Sequence, residues 1–132
     1  MTEAGEKPRI LHVDDDDDIR AIAQIALEVV GGLTLAQCAS GAEALDIVED
    51  FAPDLFLLDV MMPGMTGEET LAALRELPGM GSVPVVFMTA KAQVNDVEHL
   101  MTLGTAKVIA KPFDPLTLAA EIETILAEST AP

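Results

Sequence analysis

The sequence predicts an α/β domain, a doubly wound and mostly parallel five-stranded sheet covered by five helices on its two faces. Two observations support this fold class. Short runs of apolar residues alternate along the chain with longer stretches whose apolar residues recur every three or four positions. Glycine, proline and helix-capping residues mark the boundaries between them. With 132 residues, the chain is long enough to bury one core, so we expect one domain.

Five apolar runs are the predicted strands. They show little strict alternation of apolar and polar residues, which is typical of strands that are buried on both faces of a parallel sheet. The runs are Ile10–Val13, Leu33–Cys38, Leu55–Leu58, Val83–Met88 and Lys107–Ala110.

Helix signals fill the segments between these strands. The first helix has apolar residues at helical spacing from Ile19 to Val30 and stops at Gly31 and Gly32, and Gly104 ends the fourth helix. Three further helix starts carry capping residues. They are Ser40 with Glu43 for the second helix, Thr66 with Glu69 for the third, and Asp114 followed by Pro115 for the fifth.

The charge balance narrows the possible partners. Asp and Glu number 23 against 7 Lys and Arg, which gives a formal net charge of −16. Such a surface repels phosphate backbones and anionic lipid headgroups, so we expect no direct nucleic-acid or membrane contact. The single cysteine, Cys38, excludes an internal disulfide framework and a cysteine-based zinc site. The sequence shows neither a signal peptide nor an apolar run of ~20 residues, so we expect a soluble cytoplasmic protein.

Polar residues stand at the carboxyl ends of four predicted strands. Asp14 and Asp15 follow the first strand, Asp59 the third, Thr89 the fourth and Lys111 the fifth. Because ligands of doubly wound sheets bind outside the carboxyl ends of the strands, these side chains form the candidate site. Three crowded carboxylates repel one another, and one lysine cannot balance them. A divalent cation such as Mg²⁺, which takes oxygen ligands, would do so.

This set of groups indicates phosphoryl transfer to aspartate. A carboxylate beside a bound Mg²⁺ can attack phosphorus and form an aspartyl-phosphate. Lys111 and the Thr89 hydroxyl would then hold the phosphoryl oxygens, the lysine by its charge and the threonine as a hydrogen-bond donor.

Several motifs, in this order and spacing, resemble the signature of bacterial response-regulator receiver domains of the single-domain, chemotaxis-regulator type. The motifs are Ile10–Asp15 (ILHVDD), Pro53–Gly64 (PDLFLLDVMMPG), Thr89–Ala90 and Lys111–Phe113 (KPF). The resemblance covers residues 9–127 and leaves 1–8 and 128–132 as tails. It implies a flavodoxin-like sheet with the strand order 2-1-3-4-5.

The resemblance also implies a Mg²⁺ site and a phosphoacceptor. Asp59 would accept the phosphoryl group. Asp14 and Asp15 would be the acidic pair that binds Mg²⁺, Asp15 directly, and Asp59 would complete the carboxylate ligands. The backbone carbonyl of Met61 would be a further ligand, and the Met61 backbone would also contact the phosphoryl group.

Further roles implied by the resemblance fall on the ends of the last two strands. Thr89 would be the switch hydroxyl, and the amide of Ala90 would contact the phosphoryl group. Lys111 would pair first with Asp59 and later with the phosphate, and the Lys111–Pro112 bond is expected to be cis.

Two departures from the family pattern bear on switching and lifetime. The family usually has an aromatic residue or histidine three positions before the lysine, but here that position is Val108, and the chain has no Tyr or Trp. We therefore expect no aromatic switch of the usual form. The long side chains of Met61 and Lys91 would shield the aspartyl-phosphate from water, so we expect a phosphorylated state that is not especially short-lived.

The leading interpretation is a two-component response regulator. It would take a phosphoryl group from a histidine kinase or a phosphotransfer protein and signal by binding a protein partner or by onward relay. It would catalyse only its own phosphorylation and dephosphorylation. The donor would contact the first helix around Ile19 and Ile22, and the fourth and fifth helices would form the output face. The sequence carries no effector module, so we expect no direct gene regulation.

Two other functions stay open at this stage. A pseudo-receiver would act as an interaction module without phosphorylation, which Val108 mildly favours and the complete site disfavours. A haloacid-dehalogenase-like phosphatase also uses an aspartyl-phosphate, with a D-x-D-x-T/V pattern after the first strand. Asp14 and Asp16 fit that pattern, but Asp18 stands where Thr or Val is needed.

The remaining polar residues have plainer interpretations. Asp16 or Asp18 would cap the first helix, and an EF-hand loop beginning at Asp14 is excluded because it lacks the required Gly and Glu. His12 would be a satisfied core histidine, His99 an exposed residue without a special role, and Cys38 a small buried apolar residue.

Overall fold

Five strands form one parallel sheet in the part of the chain that the structure describes, residues 7–90 and 94–130 of a computed structural model. The strands are β1 (Arg9–Val13), β2 (Thr34–Cys38), β3 (Leu55–Asp59), β4 (Val85–Thr89) and β5 (Lys107–Ala110). Their order is β2-β1-β3-β4-β5, with parallel pairing throughout. The doubly wound α/β fold and the strand order are therefore confirmed.

Five helices connect and cover the strands. They are α1 (Asp17–Gln24), which continues as a π-helical segment (Ile25–Val30), α2 (Gly41–Phe51), α3 (Gly67–Arg75), α4 (Val94–Met101) and α5 (Leu118–Thr130). None of these helices is long and apolar enough to cross a membrane.

Each face of the sheet has its own apolar core, because alternate residues of a strand point to opposite faces. On one face, strand residues such as Leu11, Phe56 and Phe87 pack with residues of α2, α3 and α4. On the other, strand residues such as Leu57 and Met88 pack with the π-helical segment and α5. Because both faces are covered, the strands are nearly continuous apolar runs, which is why the sequence revealed them.

Side-chain caps define the starts of the second and third helices, as the sequence predicts. The Thr66 hydroxyl accepts from the Glu69 backbone N–H at 3.2 Å, and the Glu69 carboxylate accepts from the Thr66 N–H at 2.9 Å. Ser40 likewise accepts from the Glu43 N–H at 3.2 Å. The Glu43 carboxylate, however, accepts from the N–H of Ala39, so the reciprocal half of that predicted box is displaced by one residue.

The last helix begins later than predicted. The Asp114 side chain accepts from the Leu116 N–H at 2.8 Å, and its carbonyl accepts from the Thr117 and Leu118 N–H groups. Asp114 and Pro115 therefore build a turn of the kind that aspartate side chains stabilise, and α5 starts only at Leu118. At its other end α5 runs to Thr130, into the segment after residue 127 that the sequence predicts as a tail.

The first helix changes its form halfway, which the sequence does not predict. Its second half, Ile25–Val30, is π-helical, and the Gly31 N–H donates to the Ala26 carbonyl at 3.1 Å. A Cβ on Gly31 would lie 2.4 Å from the Cβ of Ala119, so only glycine permits this close approach to α5.

Candidate functional site

The parallel pairing gathers the predicted polar residues at one edge of the sheet. Asp59 and Thr89 are the last residues of β3 and β4, because each strand ends one residue later than the sequence predicts. The chain places Asp14 directly after β1 and Lys111 directly after β5. A pocket of about 260 Å³ at this edge is lined by Asp14, Asp15, Asp16, Asp59, Met61, Thr89, Ala90 and Lys111. It therefore contains all seven residues that the sequence analysis singles out, with Asp16 in addition.

Three carboxylates form the acidic part of the pocket. Asp14, Asp15 and Asp59 each offer an oxygen, and the three oxygens lie within 4.8 Å of one another. Asp14 is fully buried and Asp59 is 5% exposed, whereas Asp15 is open to solvent. Asp14 Oδ1 accepts from the Asp16 backbone N–H at 2.9 Å, which fixes the orientation of the Asp14 carboxylate.

Lys111 is the cation that faces these carboxylates. Its Nζ lies 2.8 Å from Asp14 Oδ2 and 2.9 Å from Asp59 Oδ1, with 14% of its side chain exposed. Burial alone would lower the pKa of Lys111, but its contacts with Asp14 and Asp59 outweigh burial and raise the pKa. The ammonium is therefore charged at neutral pH and offsets one of three negative charges. The Lys111–Pro112 bond is cis, as the resemblance implies.

The surroundings of the Asp59 carboxyl disfavour its ionised form. The pKa of Asp59 is raised to about 6, mainly by burial and also by the nearby Asp14 and Asp15 carboxylates, which together outweigh the lowering effect of Lys111. At neutral pH most of the Asp59 carboxyl is ionised, which is the form that can act as a nucleophile.

The donor set fits a hard divalent cation. Three carboxylates face one lysine, and the buried Asp14 Oδ2 accepts no hydrogen bond of good geometry although it pairs electrostatically with Lys111. Oxygen ligands with excess negative charge, one of them open to solvent at Asp15, are what Mg²⁺ requires when it keeps part of its water shell.

Gly67 supports the site and was missed by the sequence analysis. A Cβ at Gly67 would lie 2.1 Å from the Asp59 carbonyl oxygen and 3.0 Å from Val60 Cα. The first residue of α3 therefore packs directly on the backbone that carries Asp59. The available signal was a glycine immediately after the capping Thr66, where a helix gains nothing from glycine.

Arg20 is a second residue that the sequence analysis missed. Its guanidinium Nη1 donates to the Asp14 backbone carbonyl at 2.6 Å, and its Nη2 pairs with Asp17. A lone arginine just after five consecutive aspartates was the available signal.

His12 is only half satisfied, which corrects the prediction of a fully satisfied core histidine. It is fully buried, and its Nδ1 lies 3.1 Å from Gln37 Nε2, but its Nε2 has no partner among the described residues. Burial, followed by the charges of Lys111 and Arg20, lowers the pKa of His12 to about 3. The imidazole is therefore neutral. Cys38 is buried as predicted, and burial raises the pKa of its thiol to about 11.

His99 is exposed, as predicted, and it contacts a residue of a neighbouring helix. Its Nε2 lies 2.8 Å from Glu68 Oε1, so it connects α4 to the first turn of α3. The two residues line a second pocket, of about 220 Å³, which shares Met61 and Thr89 with the site.

Two of the three residues that depart from the family pattern, Val108 and Met61, are among the described residues. Val108 is half-buried on β5 and packs against the core beneath α2, α3 and α4, in the position where an aromatic ring is usual. The Met61 side chain is 64% exposed at the pocket. Lys91 lies outside the described residues.

Comparison with known proteins assigns the chain to a family. The sequence model described as the response regulator receiver domain matches residues 10–123. The chain therefore belongs to the receiver domains of two-component response regulators, a class of signalling domain.

Curated relatives and solved structures agree with this assignment. The chain is 35% identical to response regulator Rre1 of Synechocystis, over 96% of this chain and 55% of the relative. It is 39% identical to DNA-binding response regulator MtrA of Mycobacterium tuberculosis, over 91% of this chain and 51% of the relative. The chain thus spans about half the length of these curated relatives.

Among solved structures, chemotaxis protein CheY4 of Vibrio cholerae is similar with a TM-score of 0.83 at 28% identity, over 90% of this chain and 98% of that one. A CheY-like receiver domain protein of Methanospirillum hungatei gives a TM-score of 0.82 at 28% identity, over 94% of this chain and 97% of that one.

Proposed function

We propose that this receiver domain accepts a phosphoryl group on Asp59 with Mg²⁺ bound, and that it signals by binding a protein partner or by onward relay. The observation that carries the proposal is the placement of three carboxylates, Lys111 and Thr89 in one pocket at the carboxyl edge of the sheet. Each of these residues is ordinary alone. Together they provide a nucleophile, a cation site and donors for phosphoryl oxygens.

Asp14, Asp15, Asp59 and the backbone carbonyl of Met61 would hold Mg²⁺. When bound, the ion supplies positive charge that offsets the carboxylates and draws phosphoryl oxygens into the pocket. Asp14 Oδ2 and Asp59 Oδ1 already flank Lys111 Nζ at 2.8 and 2.9 Å, so the lysine keeps both carboxylates in the pocket.

In the transfer step, a carboxylate oxygen of Asp59 attacks phosphorus. The bond from phosphorus to the donor's imidazole nitrogen breaks, and its electron pair stays with that nitrogen. Lys111 offers its charge to the phosphoryl oxygens, and the Thr89 hydroxyl and the Ala90 N–H donate hydrogen bonds to them. Lys111 thereby exchanges its carboxylate partner on Asp59 for phosphate.

Further residues bear on the protein partners of the domain and on the lifetime of the aspartyl-phosphate. The donor is a histidine kinase or a phosphotransfer protein of the cytoplasm, which contacts α1 near the half-buried Ile19 and the exposed Ile22. With Val108 in place of an aromatic residue, the response travels through the loop after Thr89 and through α4 to a protein partner at the α4 and α5 face. The Met61 side chain shields the phosphoryl group, which slows its hydrolysis. The domain itself makes no nucleic-acid contact, given its net charge of −16.

Intact mass after incubation with Mg²⁺ and acetyl phosphate tests the proposal. We expect one phosphoryl adduct that disappears with EDTA and in Asp59→Asn. A matched control is Asp50→Asn, which removes an exposed carboxylate of α2 and should keep the adduct. Some receivers refuse small donors, so a panel of histidine kinases is the second arm.

Two results would contradict the proposal. Absence of an adduct with acetyl phosphate and with every kinase would favour an interaction module that works without phosphorylation. Turnover of a phosphate ester that Asp14→Ala abolishes and Asp59→Ala preserves would instead indicate a phosphatase.

A further inference from the structure

Arg20, in the first turn of α1, binds the backbone of the acidic loop that follows β1. Its Nη1 donates to the Asp14 carbonyl oxygen at 2.6 Å, and its Nη2 pairs with the Asp17 carboxylate. The Arg20 side chain is 21% exposed, whereas that of Asp17 is 89% exposed. One planar guanidinium thus joins the Asp14 carbonyl, in the loop after β1, to the carboxylate of Asp17, the first residue of α1, a geometry that a lysine cannot reproduce.

Arg20 is itself held by the sheet. Its backbone carbonyl accepts from Gln37 Nε2 at 2.8 Å, and the same Nε2 lies 3.1 Å from Nδ1 of the buried His12. A continuous set of contacts therefore runs from β1 and β2 through the first turns of α1 to the acidic loop. A side chain fixed at its base in this way can restrain the atoms at its tip.

The loop needs such a restraint because its charges repel one another. Five consecutive aspartates, Asp14–Asp18, stand at this turn. The Asp14 backbone N–H also donates a hydrogen bond to the Cys38 carbonyl, at 3.1 Å. With the arginine absent, repulsion would move the freed Asp14 carbonyl and the adjacent Asp15 away from Asp59.

We propose that Arg20 is a positioning residue that sets the affinity of this domain for Mg²⁺ by holding the Asp14–Asp17 segment, which joins β1 to α1. This inference rests on the proposed function, because it concerns the same cation site. Arg20 does not line the pocket, and among the described residues its guanidinium contacts the Asp14 backbone carbonyl and Asp17 rather than the carboxylates of Asp14, Asp15 or Asp59.

The sign of the effect separates positioning from simple electrostatics. Arg20 is a cation near a cation site, so removal of its charge alone would strengthen Mg²⁺ binding. Loss of the two loop contacts would weaken it. A weaker affinity after Arg20 is replaced by a neutral residue can therefore come only from the lost contacts.

Calorimetric titration of the full chain with Mg²⁺ tests the proposal. We expect the Kd of Arg20→Gln for Mg²⁺ to rise roughly tenfold, because loss of a residue that holds metal ligands in place typically weakens metal affinity by at least this factor. Arg20→Lys keeps the charge and loses the paired contacts, so its Kd should rise as well. Lys107→Gln is the matched control, because it removes a cation at the opposite end of β5, where Lys107 pairs with Glu121, and its Kd should not rise.

A second readout separates affinity from chemistry. In acetyl phosphate reactions, Arg20→Gln should shift the half-saturating Mg²⁺ concentration upward by the same factor, while the rate at saturating Mg²⁺ stays near that of the wild type. Thermal unfolding in EDTA checks that each variant is folded. If Arg20→Gln does not fold, Arg20→Lys decides the question.

The outcomes distinguish this inference from the proposed function. A Kd of Arg20→Gln equal to or below that of the wild type, or a Kd of Arg20→Lys equal to it, overturns the positioning role while the Mg²⁺ site stands. A wild-type protein that binds no Mg²⁺ overturns both.

Discussion

At the scale of single residues, the site is defined by a carboxylate that is costly to keep charged. Asp59 is buried at the end of β3, beside two other carboxylates, and Lys111 compensates it only in part. The pKa of Asp59, raised to about 6 mainly by burial, reflects this cost. Under the proposed function, a bound cation and, later, a phosphoryl group held by Lys111 would relieve this cost, which the ligand-free state bears.

This cost predicts a dependence of stability on pH. The pKa of Asp59 is raised by burial from its ordinary value of 3.8 to about 6, so in that range the folded protein binds more protons than the unfolded chain. The contribution of the protonated Asp59 is fully present below pH about 4 and is lost as pH rises through about 6. Without metal, Asp59→Asn should therefore gain stability relative to the wild type across this range, by on the order of 1 kcal/mol.

Thermal unfolding in EDTA between pH 4 and pH 8 measures this difference. Asp50→Asn, in which an exposed carboxylate is removed, should show no such trend relative to the wild type. A difference between Asp59→Asn and the wild type that stays constant over the whole range would contradict the account of Asp59.

At the scale of secondary-structure elements, the site depends on how closely α3 packs against β3. The capping box of Thr66 and Glu69 fixes where α3 begins. The Gly67 N–H then donates to the Val60 carbonyl at 3.0 Å, which brings the helix onto the end of the strand. Because Gly67 has no side chain, the backbone carrying Asp59 can lie against the first turn of the helix.

We therefore expect Gly67→Ala to damage both stability and function. The added Cβ would meet the Asp59 carbonyl oxygen at 2.1 Å, so the helix or the strand end must move. The free energy of unfolding should fall by roughly 2 kcal/mol, and phosphoryl uptake from acetyl phosphate should slow. Urea unfolding and intact mass measure the two effects.

Gly81→Ala is the matched control for this substitution. A Cβ at the exposed Gly81 would have only the Arg75 carbonyl oxygen nearby, at 4.0 Å, so we expect little change in stability or phosphorylation. Equal behaviour of the two variants would show that the contact between α3 and β3 does not constrain the site.

At the scale of the whole molecule, an excess of negative charge opposes the compact state. The chain carries a formal net charge of −16. The ion pairs formed by Lys107 and Arg20 involve partly exposed side chains, so they contribute little to the free energy of unfolding. Folding concentrates this charge in a small volume, so repulsion between the carboxylates lowers the stability of the domain at low ionic strength.

Potassium chloride should consequently raise the thermal unfolding midpoint. Between about 10 mM and 500 mM salt, the screening length falls from roughly 30 Å to below 10 Å, which removes most repulsion between exposed carboxylates. Differential scanning calorimetry in EDTA measures the shift. The double variant Glu49→Gln/Glu123→Gln, which loses two exposed charges outside the site, should show a smaller shift. A midpoint that falls with salt would contradict the repulsion.

Much of the fold and the composition of the site could be predicted from the sequence because the signals are local. A strand buried on both faces must be a continuous apolar run, and parallel strands bring their carboxyl ends to one edge. The residues following those runs, such as Asp14 and Lys111, therefore identified the pocket. The helix starts at Ser40 and Thr66 could be predicted for the same reason, because a capping residue lies within three residues of its partner.

Tertiary structure decided the properties that depend on distant segments. The late start of α5, the π-helical half of the first helix and the contact between His99 and Glu68 arise where separate elements pack. The unequal burial of Asp14 and Asp15, and the contacts of Lys111 with two carboxylates, likewise depend on how neighbouring strands and loops are stacked. The sequence by itself determined which groups meet at the edge of the sheet. Only packing decided their burial, pairing and pKa values, because desolvation and Coulomb interactions depend on distances between residues far apart in the chain.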